Sequence, residues 1–278
     1  MAGFQSIPEE IEKRARDQHF KLPVFNRVAI KLQKTIASNS NMAQVEKLIL
    51  KDPALASEVL RVANSAMFSG LTKLESIQQA LVRLGTEQVL NIVMVTSQKQ
   101  IFKAKHPILN KIMLKLWQNA SASAGGSQWV AIKSGYKKIK DQAFLIGLLH
   151  DLGSLVILKV LDEIFQENDA IQLTESVIIE LINTLHTQYG SQVMESWELP
   201  PLFCQISRDH HQEHFDQKNI LLIITRLVDY ACAKAGVGVN TQPELVLAAL
   251  PEVKLLGIKD VYLAELEIQL EDFVEAFS

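Results

Sequence analysis

Apolar residues recur at three- and four-residue intervals along most of this chain, and that period predicts helix after helix. Asn41-Met42-Ala43-Gln44 reads as a capping-box start, followed by Val45, Leu48 and Ile49 at helical spacing. Asp52-Pro53 opens the next helix, with Asp as cap and Pro at the first helical position. Leu55, Val59, Val62, Ala63 and Ala66 form its apolar face, and Gly70 is the expected stop. Ser76-Ile77-Gln78-Gln79 is a second capping box ahead of an Ile77, Ala80, Leu81, Leu84 stripe; Gly85 ends that helix, and Thr86 caps one that turns Val89, Ile92 and Val93 inward. A long helix is expected from Ile108 to about Ser134, with the small residues Ala120 to Gly126 permitting close approach of a neighbour. Further helices are expected from Thr174 to Leu185, up to Asp209, and over the apolar stretch 219–235. In the tail, Leu263, Leu266, Leu270, Phe273 and Phe277 make a heptad-like stripe that predicts a helix packed on the protein's own core. No segment sustains period-2 alternation, so the fold class is all-α.

One stretch breaks the amphipathic rule. Residues 143–158 are almost wholly apolar and read as a buried helix, yet His150-Asp151 stand at the centre. An ionised carboxylate placed there without a partner is very costly. A metal ion and a buried hydrogen-bond network are the two candidate partners, and the spacing alone leaves both open. Gly147 and Gly153 flank the doublet, and each lets another backbone or an ion come close. His186, His210, His211 and Asp229 complete a set of imidazoles and carboxylates that suits a divalent transition metal such as Fe, Mn, Zn or Ni. Each has a plainer reading as well: His186 as a helix cap, His210 and His211 as the start of a solvated loop, Asp229 as an i,i+3 ion pair with Arg226.

Composition narrows the class. The chain has 278 residues, 48% hydrophobic and 21% charged, with a net charge of −3, values ordinary for a soluble globular protein. That balance argues against a nucleic-acid binder. The cluster Lys133, Lys137, Lys138 and Lys140 reads as a solvated loop, and the helix pair around Gly85 as a packing turn, since the second helix has no basic residue before Lys99. Cys204 and Cys232 stand in no metal or redox spacing. Residues 1–16 are highly charged and do not resemble a signal peptide. The 143–158 run is short for a bilayer span and carries an Asp at its middle, so no membrane association is expected and the location is expected to be cytoplasmic. Residues 103–110, with two lysines and His106-Pro107, read as a connection between lobes.

Leu148-Leu149-His150-Asp151-Leu152-Gly153 resembles the signature of the HD superfamily of metal-dependent phosphohydrolases. The wider pattern is more specific: Leu22-Pro23, Asp52-Pro53-Ala54-Leu55, Leu60 through Phe68, Ser76 through Ala80, Leu84-Gly85, Trp197-Glu198-Leu199-Pro200 and Asp209-His210-His211 resemble the HDOD domain, a bacterial signalling module related to those enzymes. The resemblance covers roughly residues 20–235. It implies two packed helical lobes, an N-terminal one over 20–105 and an HD-like one over 106–235, with a helical tail over 236–278. It implies that His150, Asp151, His186, His210, His211 and Asp229 are metal ligands. Where the catalytic relatives have their first histidine this chain has Asn119, and where they often have a lysine it has Ser154. Asn119 is then expected to face the cavity of the doublet, within hydrogen-bond reach of Asp151 or His150. An amide is a poorer transition-metal ligand than imidazole, so the resemblance implies at most one divalent metal. The expected function is a non-catalytic signalling module that binds a protein partner or a small ligand; the rival is a phosphohydrolase acting on a nucleotide or cyclic nucleotide.

Overall fold

The computed structural model describes residues 6–15, 42–168, 171 and 173–278. The expected cap Asn41 and the Leu22-Pro23 motif lie outside the described residues. The described residues are helices and the turns that join them, with no strand among them. In chain order the helices are α1 (Ile7–Ala15), α2 (Met42–Ile49), α3 (Pro53–Ala63), α4 (Ile77–Gln98), α5 (Pro107–Lys133), α6 (Lys140–Leu149), α7 (Leu152–Glu167), α8 (Glu175–Ser196), α9 (Pro201–Asp209), α10 (Ile220–Lys234), α11 (Pro251–Leu256) and α12 (Asp260–Phe277). The chain divides into two compact units, one built on residues 22–101 with 272–278, the other on 1–21 with 102–271.

In the smaller unit, α2 and α3 pack on α4. The caps act as the sequence predicts: Asp52 accepts a hydrogen bond from the Leu55 amide at 3.1 Å, and Ser76 from the Gln79 amide at 3.1 Å. Gly85, at φ 81° and ψ 160°, interrupts α4 at the position where the pattern breaks; this is a backbone conformation that suits glycine. α3 stops at Ala63 and does not run on toward Gly70. The reason is Asn64, whose amide donates to the carbonyls of Leu60 and Leu74 and accepts from the Leu74 amide, which ties the helix end to the chain ten residues later. The end of α12 joins this unit, with Phe273 edge-on to Phe68 and the Phe277 carbonyl accepting from Lys99 Nζ at 3.0 Å.

The larger unit is assembled around α5, α6, α7, α8 and α10. The run expected as one helix over 143–158 is two helices: α6 ends at Leu149, α7 begins at Leu152, and the doublet forms the corner. Its glycines explain how tightly the corner is held. A Cβ on Gly147 would overlap the Ser123 carbonyl of α5, and one on Gly153 would overlap the His186 carbonyl of α8. α8 also runs past the expected end at Leu185 to Ser196, so His186 lies inside a helix and caps nothing. The stretch 137–167 has the length and apolarity of a membrane span, but 83% of its most apolar window is buried in the chain's own fold. The tail stripe is buried too: Leu266 and Leu270 approach Gly126 of α5, and Tyr262 meets Trp129 edge-on. Lys133, expected in a solvated loop, lies over the Trp129 and Tyr262 rings and pairs with Glu265 at 2.9 Å.

Candidate functional site

Three helix ends and two helix interiors bring the expected residues together in the larger unit. His150 and Asp151 come from the α6–α7 corner, His186 from the middle of α8, His210 and His211 from the C-terminal end of α9, Asp229 from α10. Ser207 of α9 donates to the His150 carbonyl at 2.8 Å and fixes α9 against the corner. His150, His186 and His210 are buried; Asp151 and Asp229 are about one-fifth exposed, and His211 is exposed at the rim.

The three buried imidazoles share one arrangement. Nδ1 of His150 lies 2.9 Å from the Gly147 carbonyl, Nδ1 of His186 2.8 Å from that of Ile182, and Nδ1 of His210 2.8 Å from that of Ser207. A carbonyl oxygen can only accept, so each Nδ1 carries the proton, and each neutral ring presents an Nε2 lone pair. All three Nε2 atoms are buried and have no hydrogen-bond partner among the described residues. They face carboxylates at distances too long for hydrogen bonds: His186 Nε2 to Asp151 at 3.5 Å, His150 Nε2 to Asp229 at 3.8 Å. His211 Nδ1 lies 3.8 Å from the other Asp229 oxygen. On a neutral ring, a nitrogen lone pair set opposite a carboxylate oxygen is unfavourable unless a proton, a water or a metal ion lies between them. Ligand atoms of His186, His210 and His211 lie within 4.8 Å of one another, as do those of His150, Asp151 and His210. The donor set therefore fits a divalent transition metal, and the backbone bonds at Nδ1 supply the support that orients such imidazoles.

The electrostatics of the cluster are divided. Burial opposes ionisation of His150, but Asp229, Asp151 and the Gly147 carbonyl outweigh it and raise its pKa above the ordinary histidine value. Burial also works against the Asp229 carboxylate, and the neighbouring imidazoles of His150, His211 and His186 outweigh it and hold its pKa below the usual aspartate value. Burial together with His211, His150 and His186 pushes His210 well below the histidine range. His211 is lowered by burial, with Asp229 pulling the other way.

Above this floor opens a cleft of about 630 Å³ lined by Asp151, His186, His211 and Asp229. Asn119 and Ser154 line it too, so the two departures from the catalytic pattern face the same space as the carboxylates. Ser154 Oγ donates weakly to Asp151 at 3.4 Å. Among the described residues no hydrogen bond joins Asn119 to Asp151 or His150; its side chain instead lies against Gly238, at φ 102°, in the loop after α10. An Arg226–Asp229 pair, the plainer reading of that aspartate, is absent among the described ion pairs. Arg226 turns away, with Nε 2.7 Å from Glu252 and Nη1 donating to the carbonyls of His210 and Gln212 at 2.7 and 2.9 Å. Sequence reasoning missed this clamp, although a buried arginine in an apolar helix signals an undiscovered anion.

A family model described as the HDOD domain matches residues 22–213. An uncharacterized protein of Treponema pallidum (strain Nichols) is 20% identical over 220 residues, covering 74% of this chain and 42% of that protein. The chain thus spans under half the length of the curated relative it matches. An HDOD domain protein from Geobacter sulfurreducens has the same fold at a TM-score of 0.70 and 18% identity, covering 96% of this chain and 97% of that one. So has a protein from Shewanella amazonensis SB2B provisionally called a metal-dependent phosphohydrolase, at a TM-score of 0.66 and 18% identity, covering 99% of this chain and all of that one. At those identities the likeness is one of fold. With the family model spanning more than half of its length, the chain belongs to the HDOD domain family.

Proposed function

We propose that this chain is a non-catalytic regulatory module in which a His/Asp centre that holds one divalent transition metal forms the floor of a small-ligand cleft. Its ligands are drawn from His150, Asp151, His186, His210, His211 and Asp229. The observation that carries this reading is the pairing of three buried, unpartnered Nε2 atoms with an amide, Asn119, at the cleft wall where catalytic relatives have a further imidazole. The first half keeps the centre able to hold an ion. The second removes a strong ligand from the half-site on which water activation depends. Signalling then consists of ligand occupancy read by a protein partner.

A metal-dependent phosphohydrolase is the second reading, favoured by the retention of both carboxylates in an open cleft. One experiment separates them. Untagged protein is analysed for metal content and then incubated, with added Mn or Fe, with bis(p-nitrophenyl) phosphate. The regulatory reading expects about one metal per chain and no release of nitrophenolate above the metal-only control. Turnover abolished by Asp151→Ala would establish the enzyme instead, and a metal-free chain that takes up none would remove the metal from both.

A further inference from the structure

We infer that the cleft takes an uncharged planar heterocycle of the nucleobase or nucleoside class and does not take a phosphoryl group. The inference rests on the reading of the cleft as a ligand site.

The first ground is charge. Phosphate recognition relies on arginine, lysine, a free helix N-terminus or a metal ion that carries net positive charge. No lysine or arginine lines the cleft among the described residues. The arginine behind it, Arg226, is already engaged by Glu252 and by the carbonyls of His210 and Gln212, and its Nη2 lies 3.5 Å from the Tyr230 hydroxyl. The helix that starts in the cleft, α7, has Asp151 at its cap position; its carboxylate makes no cap hydrogen bond and places a negative charge beside the helix start. Ser154 stands where a lysine would have offered a cation, and the carboxylates of Asp151 and Asp229 offset the charge of a divalent ion held between them, so the floor offers an anion no net positive charge.

The second ground is the pattern of hydrogen-bonding groups. The side-chain amides of Asn119, Gln212 and Gln242 line the cleft, and none makes a hydrogen bond within the described residues. Asn183 and Asn240, at the same rim, hold each other by reciprocal amide bonds of 3.1 and 2.7 Å. A carboxamide sets a donor beside an acceptor, which complements the edge of a purine or pyrimidine. Tyr230 adds an aromatic side chain to the lining, and the cleft volume falls in the range of small-molecule sites. Much of this wall, from Val237 to Gln242, lies beyond residues 22–213, which the family model matches.

The test is calorimetry on the full chain with adenosine, guanosine and uridine, each paired with its 5′-monophosphate, together with inorganic phosphate and spermidine. Metal content is read on the same samples. We expect at least one nucleoside to bind about tenfold or more tightly than its monophosphate. Gln242→Ala should weaken that nucleoside about tenfold with metal content unchanged, and Ser154→Lys should narrow the gap by admitting the monophosphate. Equal or tighter binding of a monophosphate, tighter binding of spermidine, or no nucleoside binding at about 1 mM would overturn the inference. A chain that holds metal, shows no hydrolysis and ignores nucleosides refutes the ligand class alone. Hydrolysis of the phosphodiester refutes the regulatory reading and leaves the nucleoside comparison to stand on its own result.

Discussion

Arg226 and Glu252 form a fully buried ion pair, Nε to Oε1 at 2.7 Å, between helices α10 and α11. The guanidinium also lies 3.9 Å over the Phe215 ring and holds the turn that carries His210 and His211 by its carbonyls. Removing one partner leaves the other charge buried alone, which costs about 3–5 kcal/mol. Glu252→Ala should therefore lower the urea midpoint strongly and also lower metal uptake, whereas Arg226→Met with Glu252→Leu should lose less stability than Glu252→Ala alone. A single variant as mild as the double would show that the pair is hydrated and not a clamp.

Gly153→Ala places a methyl into the His186 carbonyl, a backbone atom that cannot swing aside. The expected loss is about 1–3 kcal/mol or more, as for other overpacked sites, with the α7–α8 contact loosened and the separation of Asp151 from His186 altered. Denaturant unfolding measures the first effect and metal content the second. Wild-type stability in this variant would mean that the two helices are further apart than described.

Asn119→His adds an imidazole to the wall of a cleft that already holds two carboxylates and two histidines. Affinity for Mn, Fe or Zn should rise by about tenfold or more, because imidazole is the better ligand for these ions. Calorimetric titration of the wild type and the variant side by side is the measurement. Equal binding in both would show that position 119 does not reach the metal.

Deletion of residues 260–278 exposes the surfaces that Leu266, Leu270, Phe273 and Phe277 cover. At about 1.5–3 kcal/mol for each large buried side chain, the loss exceeds the margin of an ordinary domain, so the truncated chain should show no cooperative melt near the wild-type temperature. An unchanged melting temperature with a smaller oligomer would instead make the stripe an interface between copies.

Helix α1 is fastened by Arg14, which donates to Glu10 at 2.7 Å and to Glu167 of α7 at 2.8 and 2.5 Å. The arginine lowers the pKa of both carboxyls from the ordinary value of 4.5. A lowered carboxyl pKa contributes stability that is complete above the ordinary value and fades as pH falls through the lower, folded value. Because the groups face solvent, the effect is under about 1 kcal/mol per pair. Amide protection in α1, relative to the intrinsic exchange rate at each pH, should fall as pH drops below about 4.5 and should lose that dependence in Arg14→Ala.

The helices and the His150-Asp151 doublet were legible in the sequence because they rest on local physics: a 3.6-residue period, caps at Asp52 and Ser76, a break at Gly85, and a charge inside an apolar run. What failed was non-local. Asp229 three residues after Arg226 suggested a pair on one helix, but the arginine found Glu252, 26 positions away, and left the aspartate to face His150 and His211. His210 and His211 looked like the start of a solvated loop, and only the packing of α9 on the α6–α7 corner buries the first and turns the second toward the cleft. The continuous helix expected at 143–158 also hid the corner, because residues on either side of a bend buried in apolar surroundings are as hydrophobic as those of a straight helix.

His210 belongs to both trios of converging ligand atoms, and its Nδ1 is committed to the Ser207 carbonyl. Its Nε2 has a single lone pair and can be shared by no two ions. An ion seated among His186, His210 and His211 leaves His150, Asp151 and Asp229 for a neighbour, and one seated among His150, Asp151 and His210 leaves His186, His211 and Asp229. The two candidate positions thus compete for one nitrogen, and metal loading should give a first equivalent followed by a weaker second step.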